Sequence, residues 1–352
     1  MKAKILFEDG TVVIGKSFGA DKTVFGEIVF NTGMTGYQEI LTDPSYGGQI
    51  VVMTYPLMGN YGITLEDVES SKIQVSGLLV KEYCEDHSNW KSTKKLSQYL
   101  IENDIFGIAN LDTRMLTKKI RSQGAMNCVL TTGNITDELK EELKNYKFPS
   151  DIVAQVSRKA PEIIKGKGTK KIGVVDLGVK NGILKHLANF ASDLTVFPWD
   201  VSSAELLEAN LDAVLFSNGP GDPKDAKAAI ETASQIIGKL PVFGICLGHQ
   251  ILCLALGGDT YKLPFGHRGS NHPVINLVTN QVLITAQNHG YAVYEDSLKD
   301  DIKVTYKNVN DGTVEGFSCE RLKIHTVQFH PEAGPGPCDA NQIFSEWMGE
   351  IN

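Results

Sequence analysis

The sequence has no apolar run long enough to cross a bilayer: Ile251-Leu-Cys-Leu-Ala-Leu256 is among its longest, against the about 20 residues a membrane helix needs. No membrane-spanning segment is expected. Basic charge is also in short supply, with 34 Lys plus Arg against 42 Asp plus Glu and a net charge of −8. That balance argues against a nucleic-acid polyanion as the main partner. The six cysteines, at 84, 128, 246, 253, 319 and 338, form no C-x-x-C pair, so neither a disulfide framework nor a zinc site is expected and each is read as a thiol. The first residues meet the acidic pair Glu8-Asp9 before a secretory apolar region could form, which predicts a cytoplasmic protein.

What remains is the composition of an ordinary globular enzyme, 42% hydrophobic and 22% charged over 352 residues, a length that predicts two domains. Residues 1–150 carry short β-like runs separated by Gly, Asp and Asn, such as Lys4-Ile-Leu-Phe7 and Thr11-Val-Val-Ile14 around Glu8-Asp9-Gly10, a strong hairpin signal. Helices are expected near 92–102 and 112–122, giving a β-rich α+β domain. Residues 151–171 are expected to be a linker, because 159–171 hold five lysines, two glycines and a proline without apolar period. From 172 to 352 the pattern changes. Ile172-Gly-Val-Val-Asp176, Leu194-Thr-Val-Phe197, Ala213-Val-Leu-Phe216 and Val242-Phe-Gly-Ile245 are apolar runs of the kind buried parallel strands show. They alternate with helical stretches near 180–191, 202–209, 224–238 and 247–257. This predicts an α/β domain with a doubly wound, mostly parallel sheet, whose site lies at the carboxyl ends of the strands.

Gly10-Thr-Val-Val-Ile-Gly15-Lys16-Ser17 matches the phosphate-loop pattern letter for letter. Its context rejects it. A phosphate loop turns consecutive N–H groups inward and runs into a helix, whereas Thr11-Val-Val-Ile14 is β-branched and Phe18–Phe25 has no helical period.

The chemistry-bearing features lie in the second half. Pro241-Val-Phe-Gly-Ile245 runs into Cys246, and a helical stretch starts at Leu247, so Gly244-Ile-Cys246-Leu-Gly248 is a cysteine version of the nucleophile elbow. The elbow needs small residues at Gly244 and Gly248, and the helix start favours a thiolate. The alternative is a buried apolar cysteine, the reading preferred for Cys253 on the same helix. A thiolate nucleophile needs a proton carrier and an orienting partner for it. Thr326-Val-Gln-Phe-His330-Pro-Glu332 offers both: Pro331 favours extended backbone before it, which would put His330 and Glu332 on one face. Among the other histidines, His186 and His325 read as helix surface or strand edge, while His249, His267, His272 and His289 are candidates for the site's surroundings. Ser217-Asn-Gly219-Pro-Gly221 follows a strand and opens a helix, which suits backbone N–H donors from Gly219 and Leu247 to an oxyanion. A plain glycine turn is the other reading.

Elbow, glycine turn and His-Pro-Glu together resemble the class I (triad) glutamine amidotransferase family. Asn31-Thr-Gly-Met-Thr-Gly-Tyr-Gln-Glu39, Leu41-Thr-Asp-Pro-Ser-Tyr46, Leu111-Asp-Thr-Arg114, Phe265-Gly-His-Arg-Gly-Ser-Asn-His-Pro273 and Gln287-Asn-His-Gly-Tyr291 extend the resemblance, end to end, to the glutamine-hydrolysing small-chain family of carbamoyl-phosphate synthase. The resemblance implies Cys246, His330 and Glu332 as the catalytic residues. It implies that Ser45, Gly219, Gly221, Leu247, Gln250, Asn288, Gly290 and Tyr291 bind L-glutamine. It departs from the family at Gly334 and Cys338, where Ser and His would be expected. No metal or cofactor is implied in this chain. The resemblance further implies a large partner chain that uses ATP, Mg and bicarbonate and captures the ammonia to make carbamoyl phosphate for arginine or pyrimidine biosynthesis or both, in a heterodimer or an assembly of heterodimers. A stand-alone γ-glutamyl hydrolase, a catalytically silent binding subunit and a subunit of another synthetase are the competing readings.

Overall fold

Asp9 and Gly10 make the turn of the first hairpin in the computed structural model, which describes residues 1–351. Lys2–Phe7 pairs with Val12–Ser17 in the register Leu6↔Val12, and Gly10 takes φ +84 with open space around it. Gly15, Lys16 and Ser17 therefore lie inside a strand. A side chain at Gly15 would meet Ile108 Cγ2 at 2.5 Å, so this glycine serves close strand packing.

The chain divides into two compact units, Met1–Pro149 and a second from Ser150 onward. In the first, seven strands among the described residues close a barrel, in the order Lys2–Phe7, Val12–Ser17, Phe106–Ala109, Gly77–Leu79, Gln49–Met53, Val24–Asn31 and Met126–Thr131. The three contacts joining Val24–Asn31, Gln49–Met53, Gly77–Leu79 and Phe106–Ala109 are parallel. Closure leaves no open edge, and the α+β expectation is met by a barrel with helices packed on it. Leu116 and Ile120 of helix Thr113–Gln123 are buried, and Asp112 caps that helix by accepting from Met115 N. Helix Asp137–Asn145, capped by Thr136, has no counterpart in the sequence reading because seven of its nine residues are polar.

The second unit is built on a ten-stranded sheet, counted among the described residues. Ala191–Pro198, Lys170–Asp176, Ala213–Phe216, Val242–Ile245 and Ile324–Val327 lie side by side and parallel. Alternate residues of these strands feed two cores. Val175, Val214, Phe216 and Val242 pack with Leu206, Ala229, Ala233 and Ile251 of three helices. Val174, Leu215, Phe243 and Ile245 pack with Ile183 and Leu187 and with Phe344 and Trp347. Helices thus cover both faces, and the strands are apolar on both sides for that reason.

Two expectations are corrected. The sheet is mixed rather than mostly parallel: Val314–Cys319, Val282–Val293, Thr260–Asn276 and Lys303–Asn308 extend it antiparallel beyond Ile324–Val327. Their sequences alternate polar with apolar, so they lack the uniform apolarity that announces a central strand. Residues 151–171 are not a bare linker either. They hold helix Ile152–Val156 and strand Glu162–Lys165, which pairs antiparallel with Ala191–Pro198 at the sheet's edge. The lysines and Glu162 that hide the strand from a pattern search are what keeps an exposed edge from pairing with other chains. Among the described residues no helix is long and apolar enough to cross a membrane.

Candidate active site

The parallel strand Val242–Ile245 delivers the chain to Cys246, which takes φ +54 and ψ −104, and helix Leu247–Ala255 begins at the next residue. A non-glycine residue with this backbone stores about 1–3 kcal/mol of strain, tolerated where the surroundings enforce it. Here they do. Cys246 N donates to Val327 O at 2.9 Å and Gly248 N to Ser217 O at 2.9 Å. A side chain on Gly244 would meet the backbone of Gly248 at 2.8 Å, and one on Gly248 would meet Phe216 O at 2.0 Å. Both flanking glycines are steric requirements of the corner.

The glycine turn abuts the elbow. A side chain at Gly219 would strike Leu177 O at 2.2 Å and Leu247 Cδ2 at 2.8 Å, and Gly221 takes φ +90. Ser217 and Asn218 beneath it are fully buried, with Ser217 Oγ accepting from Leu177 N and Asn218 Oδ1 from Lys180 N. The Gly219 backbone is thereby held against the side chain of Leu247, the first residue of the nine-residue helix, whose amino end favours negative charge.

His330 comes from the turn after strand Ile324–Val327. Its N donates to Ala286 O at 2.9 Å and its carbonyl accepts from Ala333 N at 3.1 Å, so residues 330–333 form a tight turn. This corrects the extended arrangement expected from Pro331. The turn brings His330 Nδ1 to 2.7 Å from Glu332 Oε1. The second ring nitrogen, Nε2, is buried with no conventional hydrogen-bond partner, and Cys246 is the neighbour that acts on it. The Cys246 thiol meanwhile donates a long bond to Asn288 O at 3.6 Å.

Lys180, which the sequence reading passed over, completes this chain of groups. Its Nζ lies 3.0 Å from Glu332 Oε1 and donates to Ala333 O at 2.6 Å, with 2% of the side chain exposed. The signal was there: a lysine heading helix Asn181–Leu187 is at the end where a cation is disfavoured, so its charge must be used elsewhere. Electrostatics follow from the stack. Burial raises the Glu332 carboxyl, but Lys180 and His330 outweigh burial and bring it down to about 2. Burial lowers His330, but the charge of Glu332, the nearby Cys246 sulfur and the bond to Glu332 raise it to about 10. The imidazolium is thus the favoured form at neutral pH.

A buried thiol on a strained corner, with an imidazolium backed by a carboxylate beside it, has the parts that thiol-dependent acyl transfer requires. Sequence comparison agrees with that geometry. Residues 5–130 match the family model "Carbamoyl-phosphate synthase small chain, CPSase domain", and residues 173–349 match "Glutamine amidotransferase class-I". The carbamoyl phosphate synthase small chain of Clostridium perfringens is 49% identical over 349 residues, covering 99% of both chains. That of Listeria monocytogenes serovar 1/2a is 49% identical over 353 residues, 100% of this chain and 97% of its own. That of Caldanaerobacter subterraneus is 50% identical over 349 residues, 99% and 96% of the two chains.

The chain belongs to the carbamoyl phosphate synthase small chain family.

In this small chain the remaining candidates fall into groups. Asn288, Gly290 and Tyr291 lie on strand Val282–Val293, paired with Thr260–Asn276 through His267↔His289 and Arg268↔Asn288. The two motifs 265–273 and 287–291 are therefore halves of one hairpin. Gln250 Nε2 donates to Tyr291 O at 2.8 Å and to Gln328 Oε1 at 2.9 Å, tying the elbow helix to that strand. Ser45 belongs to the first unit, buried in a short turn of helix with its N donating to Asp43 Oδ1 at 2.9 Å. His249 is a core residue, Nδ1 against Thr326 Oγ1 at 2.8 Å, held neutral by burial that lowers it to about 3. Cys253 is core too, raised to about 12 by burial. His186 stacks on Phe344 and His325 pairs with Glu350 at 2.6 Å. His267, His272 and His289 cluster on the hairpin, with ring centroids 4.9–5.2 Å apart.

Proposed function

We propose that this chain is the glutamine-hydrolysing subunit of carbamoyl phosphate synthase, working through a cysteinyl thioester. Cys246 gives its proton to His330, and the resulting thiolate–imidazolium pair lets the sulfur attack the side-chain carboxamide carbon of L-glutamine. The oxygen takes the negative charge toward the N–H groups of Gly219 and Leu247, where preorganised donors are most effective. His330 protonates the departing nitrogen, ammonia leaves, and a γ-glutamyl thioester remains on Cys246. His330, now neutral, then takes a proton from water, whose oxygen adds to the thioester carbon and releases glutamate; the sulfur leaves as thiolate and the thiolate–imidazolium pair is restored. Glu332 keeps the imidazole oriented and favours its charged form, and Lys180 holds Glu332 ionised. Ser45, Gly221, Gln250, Asn288, Gly290 and Tyr291 bind the amino-acid end of the substrate. The ammonia passes to a large partner chain that consumes ATP with Mg and bicarbonate to make carbamoyl phosphate, a precursor for arginine and pyrimidines; the pair forms a heterodimer or an assembly of heterodimers.

The observation that carries this reading is the line Lys180–Glu332–His330 ending at a cysteine held at φ +54. The test uses the assembled complex. Cys246→Ser is expected to cut glutamine-dependent synthesis on the order of 10³-fold or more and to leave ammonia-dependent synthesis at the parent rate. Loss of both activities in a correctly assembled complex overturns the division of labour.

A further inference from the structure

His267 and His289 face each other across the hairpin, and Glu315 reaches them from the neighbouring strand Val314–Cys319. All three are buried, and one ligand atom from each lies within 4.8 Å of the others. Each group is fixed by a partner of its own. His267 Nε2 bonds to Asp311 Oδ2 at 2.8 Å, which leaves Nδ1 buried without a hydrogen-bond partner, 3.4 Å from Glu315 Oε1. His289 Nδ1 bonds to Tyr291 O at 2.7 Å, and its Nε2 faces Gln287 Oε1 at 2.8 Å. Glu315 is fully buried, fixed by Asn308 Nδ2 at 3.0 Å and Gln287 Nε2 at 2.9 Å. A second partner on the far side of each histidine is the usual support of a metal-binding imidazole.

Two details ask for a cation there. A neutral imidazole has one N–H, yet both nitrogens of His289 face oxygens, Tyr291 O at 2.7 Å and Gln287 Oε1 at 2.8 Å. The Gln287 amide is not free to turn its nitrogen toward His289, because that nitrogen is committed to Glu315. One of the two contacts therefore sets lone pair against lone pair. Second, an acidic pocket adjoins the cluster through Asp311. A pocket of about 230 Å³ is lined by Tyr261, Tyr294, Glu295, Asp296, Asp311 and Thr313, and the Asp311 that holds His267 stands in its wall. An acidic pocket concentrates cations.

We propose that His267 Nδ1, His289 Nε2 and Glu315 bind a divalent transition-metal ion, Zn²⁺ in first place. Two imidazoles and a carboxylate suit Zn²⁺, and tetrahedral bonds of about 2.0–2.1 Å need the ligand atoms about 3.3 Å apart, a closure of up to about 1.5 Å from the present spread of 4.8 Å. The ion would fasten together the three strands that carry its ligands. One of them is the strand whose Asn288 carbonyl meets the Cys246 thiol, so the site is a strut behind the reaction centre. Its occupancy does not depend on the glutaminase reading.

The experiment is direct. The full chain is loaded with Zn²⁺, passed through a desalting column and analysed for metal by mass spectrometry, and Co²⁺ is loaded in parallel for its visible absorption. About one Zn²⁺ per chain and the intense bands of four-coordinate Co²⁺ are expected. Glu315→Gln and His267→Ala are expected to lose both signals. Because those positions are buried, Asp311→Asn serves as the milder variant: its side chain is 41% exposed, and loss of such a supporting partner weakens metal affinity about 10–100-fold. Absence of retained metal in the parent, or equal retention by parent and all three variants, overturns the proposal.

Discussion

Glu332→Gln keeps the side chain's shape and an oxygen for His330 Nδ1, but removes a charge placed 2.7 Å from one cation and 3.0 Å from another. His330 is fully buried, and burial alone drives it below its ordinary 6.5; Glu332 is the largest of the influences that lift it to about 10 instead. With the charge gone, the imidazole is expected to titrate at or below neutrality. A fall of about three units corresponds to about 4 kcal/mol at 1.36 kcal/mol per unit, a factor on the order of 10³ in the ratio of imidazolium to imidazole. Glutamate release followed between about pH 5 and 10 should then show the alkaline limb of kcat/KM moved down by two units or more. The rate near pH 8 should fall by about 10²–10⁴, the range expected when a positioned proton donor is lost. Stability is measured alongside, because removing one partner of a buried ion pair costs about 3–5 kcal/mol. Adding Lys180→Met is expected to recover much of that stability and none of the rate. An alkaline limb that stays in place, or a rate within about tenfold of the parent, would refute the role given to Glu332.

Three further outcomes are expected. The stability contribution of the His330–Glu332 pair has a defined pH window: the His330 part is complete below 6.5 and lost as pH rises through about 10, and the Glu332 part is complete above 4.5 and lost as pH falls through about 2. The Tm gap between parent and Glu332→Gln should therefore be widest between 4.5 and 6.5, and a gap independent of pH would contradict the assignment. Gly248→Ala places a carbon 2.0 Å from Phe216 O, an overpacking of about 1–3 kcal/mol that lowers Tm by about 3–10 °C; calorimetry showing no loss would remove the steric account of the elbow. Ser45→Ala is expected to raise KM for glutamine about tenfold, the worth of a hydrogen bond to a charged group, with kcat little changed. An equal fall in kcat would place Ser45 in the chemistry rather than in binding.

How far the sequence discloses this protein depends on the distance over which each feature is encoded. The elbow is legible because strand, cysteine, flanking glycines and helix are contiguous, and the structure shows each doing a local steric job at Gly244, Cys246 and Gly248. The central strands are legible because burial on both faces leaves uninterrupted apolar runs. Features built by pairing distant segments are not. Nothing in the chain says that His267 opposes His289, since antiparallel register across a hairpin with two irregularities has no local signature. The turn at 330–333 escaped because the effect of Pro331 on its predecessor was allowed to outweigh turn formation after it. Strand Glu162–Lys165 escaped because the charges that protect an edge resemble those of a linker. Lys180 escaped because its partner, Glu332, lies 152 positions away in the sequence.

The account stands on Cys246 becoming covalently joined to the γ-carbonyl of glutamine. Acid quenching of the protein during turnover of isotopically labelled glutamine, followed by peptide mass spectrometry, tests this most directly. Label is expected on the peptide containing Cys246, absent in Cys246→Ala and slow to appear in His330→Asn. Glutamate release without label on Cys246, or label carried by another cysteine, would contradict it.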